Sequence, residues 1–426
     1  MTDIFCNIDN AGVTNGTSHV RGFTRIQDAY AGATQGDTIY VAAGTTHYAV
    51  VGSDRLLNSD LDMTTAKPWN KKGISIIGIG SAGITASNIP VGDDRPLVYC
   101  AVTTTNSYSV YIPTGSSVSN IRFTGLRMAA SSWESGGLVA GTNVRVYNCK
   151  FTGENTNEVI GQKQLVVSFT GSITDCEFIE ELDQSNWPTR IQSTDCSFYM
   201  ITPDIRNCVF RITSNLEVPC FTRNASTWTS TRVDNCIFYG NGYQTSALLP
   251  NSYIQCRPYS GVRFHGCIFY NLANAYDVQI PTTTGATDTE TEWSYYYRRN
   301  QLHDCIFANC GNGIVVASYS APSGWTTGTF SMEHVTLVSR CFFHDITTAN
   351  LSGDLSTDQN YQLSSDPFVD AANGDFRLND TAGGGADIKA LDSLYTNSNI
   401  KSRGLPFGGG FLSNVAETLP TIITTF

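Results

Sequence analysis

The chain has 426 residues, enough for two or three domains unless it is built of repeats. Charged residues are only 15% and the net charge is −11, which leaves no basic footprint for nucleic acid or anionic lipid. No stretch reaches the roughly 18 apolar residues of a membrane span. Regular Val, Ile, Leu, Phe and Tyr argue against disorder, and the scarcity of charged amphipathic stretches points to an all-β protein.

In chain order, residues 1–21 read as an arm, loosened by Gly12, Asn15, Gly16 and Ser18. Met1-Thr2-Asp3-Ile4-Phe5-Cys6 lacks a basic region followed by an apolar one, so no secretory leader is expected. The segment from Gly22 to Ala31 is amphipathic. Gly36–Thr45 and Gly73–Gly78 read as strands, with a projecting loop over 45–72 between them.

From there one pattern recurs: Asn or Asp, Cys, any residue, Phe. It stands at Asn148-Cys149-Lys150-Phe151, Asp175-Cys176-Glu177-Phe178, Asp195-Cys196-Ser197-Phe198, Asn207-Cys208-Val209-Phe210, Asn235-Cys236-Ile237-Phe238 and Asp304-Cys305-Ile306-Phe307. Gly266-Cys267-Ile268-Phe269 replaces the first residue by Gly. Cys and Phe two apart share one face of a strand, and both favour burial. Each copy is therefore a short strand with Cys and Phe inward and a polar turn residue before it. Phe198 lies only 12 residues before Phe210, too few for a full coil, so it belongs to a different face. The other copies recur about every 30 residues, and one more step lands on Leu337, with Val335 and Leu337 in place of Cys and Phe. A single unit of this size cannot bury its apolar face; stacked copies can. The predicted inward ladder is Cys149, Phe151, Cys176, Phe178, Cys208, Phe210, Cys236, Phe238, Cys267, Phe269, Cys305 and Phe307.

These repeats resemble the right-handed parallel β-helix (pectin-lyase-like) superfamily, in which inward Cys, Phe, Val and Ile stack and Asn occupies the turns. The fold this implies is an all-β right-handed parallel β-helix solenoid over 22–392, with an N-terminal capping helix at about 22–33. Gly36–Thr45 is similar to the first coil of such proteins. Ser365–Asp370 with Gly374–Leu378 is similar to their closing coil. Residues 393–426 fall outside the repeat and form a C-terminal tail or cap.

Thirteen cysteines cannot all pair within one chain. Core thiols are the favoured reading. Cys305 and Cys310, with His303 near, match no common zinc spacing, and no metal site is expected.

Chemistry is sought first in an inserted segment at about 281–299. If extended, it sets Asp288, Glu290 and Glu292 on one face and Trp293, Tyr295 and Tyr297 on the other. The carboxylates are candidate catalytic residues, or ligands for calcium, the one cofactor considered. The aromatics are candidate glycan-binding residues. A solvated hairpin is the plainer reading. A second acidic cluster, Glu177, Glu180, Glu181 and Asp183 with Trp187 behind it, reads more simply as an acidic turn. Of the polygalacturonase motifs only Gly92-Asp93-Asp94 is present, nothing resembles the Trp-Ile-Asp-His of pectate lyases, and the six histidines form no i, i+4 pair.

Two functions follow. The first is a structural or binding protein without chemistry on the exterior of a bacteriophage virion, a head decoration (cement) protein or spike. It would be assembled in the host cytoplasm, form a homotrimer as tailspikes of this fold do, and contact capsid or tail proteins. The alternative is a polysaccharide-degrading lyase or hydrolase of the tailspike-depolymerase kind, acting on a host-surface polysaccharide, with an extracellular location.

Overall fold

The computed structural model describes residues 2–10, 16–18, 21–45, 48–51, 73–81, 94–101, 110–112, 114–127, 138–140, 143–154, 166–167, 171–181, 198–199, 204–212, 219–223, 231–240, 253–256, 262–272, 274–278, 300–316, 336–353 and 355–391. The chain winds as a right-handed parallel β-helix. Twelve parallel strands, one per coil, form the first sheet, from Asp3–Cys6 to Ser356–Asp358. A second sheet of 18 strands wraps the other two sides of each coil. Its two strand columns merge because Ile306–Val316 is continuous: one half pairs with Ile268–Tyr270 and the other with Asn274–Val278.

The recurring pattern makes the corner between the sheets. Asn148, Asp175, Asn207, Asn235 and Asp304 all sit in the left-handed region, with φ between 48° and 57°. Asn and Asp tolerate that conformation better than other residues with a Cβ. Gly266 holds the same place at φ 60°, which explains the Gly variant of the pattern. The turn aims Cys inward. Cys149, Cys176, Cys208, Cys236, Cys267, Cys305 and Cys341 are buried, and each thiol donates to the carbonyl two residues earlier at 3.2–3.6 Å.

Phe follows one strand step later. Phe123, Phe151, Phe178, Phe210, Phe238, Phe269, Phe307 and Phe343 form one stack, with ring centroids 4.7–5.2 Å apart and planes within 12° of parallel. Each buried ring contributes roughly 2–3 kcal/mol. Phe198 stands in the other column, paired with Val166 and Phe221.

Several expectations need correction. The copy after Phe307 is Arg340-Cys341-Phe342-Phe343, not Leu337: Phe343 pairs with Phe307, while Leu337 pairs with Gln301 on the first sheet. Arg340 takes the left-handed corner at φ 51°, and the substitution of Arg for Asn hides the pattern. At the other end Asn120-Ile121-Arg122-Phe123 is an earlier copy with Ile in place of Cys. The presumed N-terminal arm begins with the first strand, since Asp3–Cys6 pairs with Thr38–Ala42. Alternation decides this: Ile4 and Cys6 are buried beneath the next coil. The helix runs from Ile26 to Gly32 and buries Ile26, Ala29 and Tyr30, one helical stripe, with Ala33 buried at its C-cap.

The segment read as a closing coil is not a coil. Phe368–Asp370 pairs antiparallel with Asp375–Leu378, and the short helix Gly385–Ala390 follows. This C-terminal flap packs on the outside of the solenoid, where Phe368, Phe376, Leu378 and Ile388 cluster with Val209, Ile237, Ile268, Ile306 and Phe342. The same outward positions in earlier coils hold Arg122, Lys150 and Glu177, so the apolar stretch coincides with the cover. The tail 393–426 lies outside the described residues.

Candidate functional site

The inserted segment that carries Asp288, Glu290, Glu292, Trp293, Tyr295 and Tyr297 lies outside the described residues. So do Asp183 and Trp187 of the second acidic cluster. Glu177 of that cluster lies 3.8 Å from Lys150, and burial raises its carboxyl pKa. Most of the buried cysteines are poor nucleophiles; Cys176 is drawn the other way by hydrogen bonds with Cys149 and Cys208 but is itself buried. Burial pushes the Cys149, Cys208, Cys236 and Cys305 thiols up, and Cys310 up to about 12, well away from the thiolate form.

A different cluster forms on the outer face of the first sheet. Strand alternation turns two rows of side chains outward there. Cross-strand register gives one row as Arg145, Ser172, Asp204, Arg232, Arg263 and Gln301. The other runs Tyr147, Thr174, Arg206, Asp234, His265, His303 and Ser339.

His265 and His303 are direct neighbours on adjacent strands, in very different settings. His265 donates from Nε2 to Asp304 Oδ2 at 3.1 Å. Asp304 is nearly fully buried and also receives Arg340 Nε at 2.7 Å and Nη2 at 2.8 Å. Burial alone would raise the Asp304 carboxyl, but the bonds from His265 and Arg340 outweigh it and hold the group below its ordinary range. The hydrogen bond to Asp304, opposed by partial burial, raises the His265 pKa and favours the cation. Its Nδ1 faces Asp234 Oδ1 at 4.0 Å, beyond hydrogen-bond range.

Asp234 is held by Arg232, whose Nε lies 2.5 Å from Oδ2. Its Oδ1 is buried and accepts no hydrogen bond from the described residues. Burial raises this carboxyl despite Arg232. His303 moves the other way. Partial burial lowers its pKa, and the Arg340, His265 and Arg263 cations add to the effect against Asp304. Its Nδ1 pairs with the Ser339 hydroxyl, and its Nε2 has no partner among the described residues.

His303, shifted toward the neutral imidazole, stands beside His265, shifted toward the cation, a pairing suited to taking a proton at one ring and giving one at the other. Arg206 and Arg232 are about half exposed and Arg263 is exposed, so guanidinium groups line the approach. Such groups match carboxylates in fork geometry. Among the described residues no group of three or more His, Cys, Asp or Glu side chains is placed to hold a metal ion.

None of these residues was singled out from the sequence as a site. The signal was available in the repeat itself. His265, His303, Asp234 and Arg206 each stand two residues before a ladder cysteine, so aligning the copies on Cys puts them in one column.

No protein-family model matches the chain, and no curated protein matches it. Among solved structures it is similar to a rhamnogalacturonan lyase, with 10% identity, a TM-score of 0.46 and coverage of 87% of this chain and 91% of that one. It is also similar to the pectin methylesterase from Aspergillus niger, with 13% identity, a TM-score of 0.25 and coverage of 85% and 86%. These likenesses concern the fold. The structures are carbohydrate-active enzymes and none is a virion protein, so the expectation of a bacteriophage head decoration protein or spike without chemistry is withdrawn, with its virion location.

Proposed function

We propose that the protein is a polysaccharide-degrading enzyme that cleaves an acidic, uronate-containing chain by β-elimination. The carrying observation is the pair of adjacent, partly exposed histidines whose surroundings push their pKa values in opposite directions, on a face lined by arginine.

In the elimination, His303 Nε2 takes the proton from C5 of a uronate. The electron pair forms the C4–C5 double bond and the bond from C4 to the glycosidic oxygen breaks. His265 Nδ1–H gives its proton to the departing oxygen. Exchange with water then returns both imidazoles to their starting states. Arg232 and Arg263 pair with the uronate carboxylate, which acidifies C5 and stabilises the charge that develops there. Asp304 and Arg340 act through His265: they fix its ring and keep it cationic. Ser339 fixes the ring of His303 through Nδ1 and leaves Nε2 for the substrate. Asp234 Oδ1 and His265 Nδ1 flank a gap that a sugar hydroxyl would bridge, satisfying the buried oxygen. A substrate of this kind places the protein outside the cell.

The test is a panel of acidic and neutral polysaccharides, with reducing ends and unsaturated-uronate absorbance followed together. Both signals are expected on an acidic polymer. His303→Ala and His265→Ala should each lower the rate by about 10²–10⁴-fold without shifting the melting temperature. Reducing ends without uronate absorbance would replace elimination by hydrolysis. Activity indifferent to both substitutions would remove this site.

A further inference from the structure

We infer that Arg232, Asp234, His265, Asp304 and Arg340 form a pH-operated clasp across four consecutive coils, which opens between Asp234 and His265 when His265 Nδ1 loses its proton. The clasp is independent of the lyase reading: it is read without substrate, and either can fail alone.

The five side chains come from neighbouring rungs of the first sheet. Arg232 and Asp234 stand on Thr231–Asp234 and His265 on Val262–His265. Asp304 sits at the corner after Asn300–His303, and Arg340 at the corner after Thr336–Ser339. These strands pair in that order. Along the row the groups run cation, anion, imidazole, anion, cation. Both carboxylates are sealed from solvent, with side chains only 8% and 4% exposed. Each is held by an arginine on its far side, Asp234 by Arg232 at 2.5 Å and Asp304 by Arg340 at 2.7 Å. The imidazole lies between the two acids and faces both.

Asp304 fixes which proton can leave. Nε2 keeps its hydrogen because it donates to Asp304 at 3.1 Å, so the ring titrates at Nδ1. Protonated Nδ1 presents a positive edge to Asp234 Oδ1, 4.0 Å away. Deprotonated, it turns a lone pair toward a buried carboxylate oxygen that accepts no hydrogen bond from the described residues. Attraction becomes repulsion where water does not reach, and the cost falls on the junction between two coils. The hydrogen bond to Asp304 raises the His265 pKa, so its contribution is complete below the unfolded value near 6.5 and is lost as pH rises through the higher folded value. The other groups around the ring are Arg263 on its own strand, Arg206 beside Asp234, His303 on the next strand and the inward Cys267. The arginines keep their charge throughout, and burial carries the His303 transition below its ordinary value, away from this window.

The experiment is amide hydrogen exchange on the full-length protein from about pH 6 to about pH 9, corrected for intrinsic rates, with the His265 transition followed by NMR of carbon-13-labelled histidine. The reporter is the Asn235 amide, which donates to His265 O at 2.8 Å and so spans the junction. The Ser117 amide, which donates to Ile74 O at 3.1 Å in coils without the clasp, is the control. Protection at Asn235 is expected to fall at least tenfold, with its midpoint at the His265 transition, while Ser117 stays constant. Asp234→Asn should abolish the fall, because its amide donates to the bare Nδ1. His265→Gln should flatten the profile as well, since glutamine keeps a donor for Asp304 and has no proton to lose. Should one variant fail to fold, the other decides. Constant protection at Asn235, an equal fall at Ser117, or a fall that persists in either variant would overturn the inference.

Discussion

Asp175 is one of two acids in the corner column, the other being Asp304, and its own neighbours there are Asn148 before it and Asn207 and Asn235 after. Its backbone is left-handed at φ 55°, a conformation Asn adopts equally well. Burial raises its carboxyl pKa from 3.8 to about 6, against a hydrogen bond from Asn207 that favours the charged form. A carboxyl raised in the folded state binds protons more tightly there than in the unfolded chain. Its contribution to stability is complete below the unfolded pKa near 3.8 and is lost as pH rises through about 6. A shift of about 2 units corresponds to a ceiling of about 3 kcal/mol at pH 7 and above. The carboxyl keeps some solvent contact, so about 1–3 kcal/mol is the reasonable range. Asp175→Asn removes the charge, keeps the shape and lets the amide join the ladder in which Asn148 donates to Asn120 Oδ1 at 2.8 Å. The variant should match the parent near pH 4 and exceed it by about 1–3 kcal/mol at pH 7. Urea unfolding at a series of pH values reads the difference, and amide hydrogen exchange over Cys176–Phe178 reads it locally should the solenoid unfold in segments. An offset that does not change with pH, or a loss at pH 7, would refute the reasoning.

Other predictions follow from the same structure. Phe238→Ala should cost about 3–5 kcal/mol, because the ring is fully buried between Phe210 and Phe269 and its neighbours cannot close the gap; chemical denaturation measures this. Asp304→Asn should bring the His265 pKa down toward its ordinary value and move the limb of the pH–rate profile that reports the acid to lower pH, both visible by NMR titration and kinetics. Phe376→Ala should loosen the flap from Ile237, Ile268 and Ile306, costing about 3 kcal/mol and raising the fluorescence of a hydrophobic dye. The ladder thiols should stay unreactive to a thiol reagent in the native protein and react together on unfolding, since burial disfavours the thiolate.

The architecture was legible in the sequence because a β-helix writes its period into the chain. A corner that needs a left-handed residue selects Asn, Asp or Gly, and a strand with one inward face sets Cys and Phe two apart. The same logic separated Phe198 from the other phenylalanines by spacing alone. It failed where chemistry departs from the pattern. Arg340 in place of Asn hid the last copy, Ile121 in place of Cys hid the first, and Asp3–Cys6 was too short to be recognised as a strand without the coil that covers it.

Which residues meet across coils was decided by tertiary structure. His265 and His303 are 38 positions apart, and Asp304 reaches back to the earlier histidine because the parallel register sets His303 beside His265. The pKa shifts that make the two histidines a pair come from burial and from charges on neighbouring strands, which no local window contains. The flap was likewise decided in three dimensions. Its residues resemble another coil, but the outward Ile237, Ile268 and Ile306 need a cover, and that apolar surface is the physical reason the chain folds back along the outside instead of winding on.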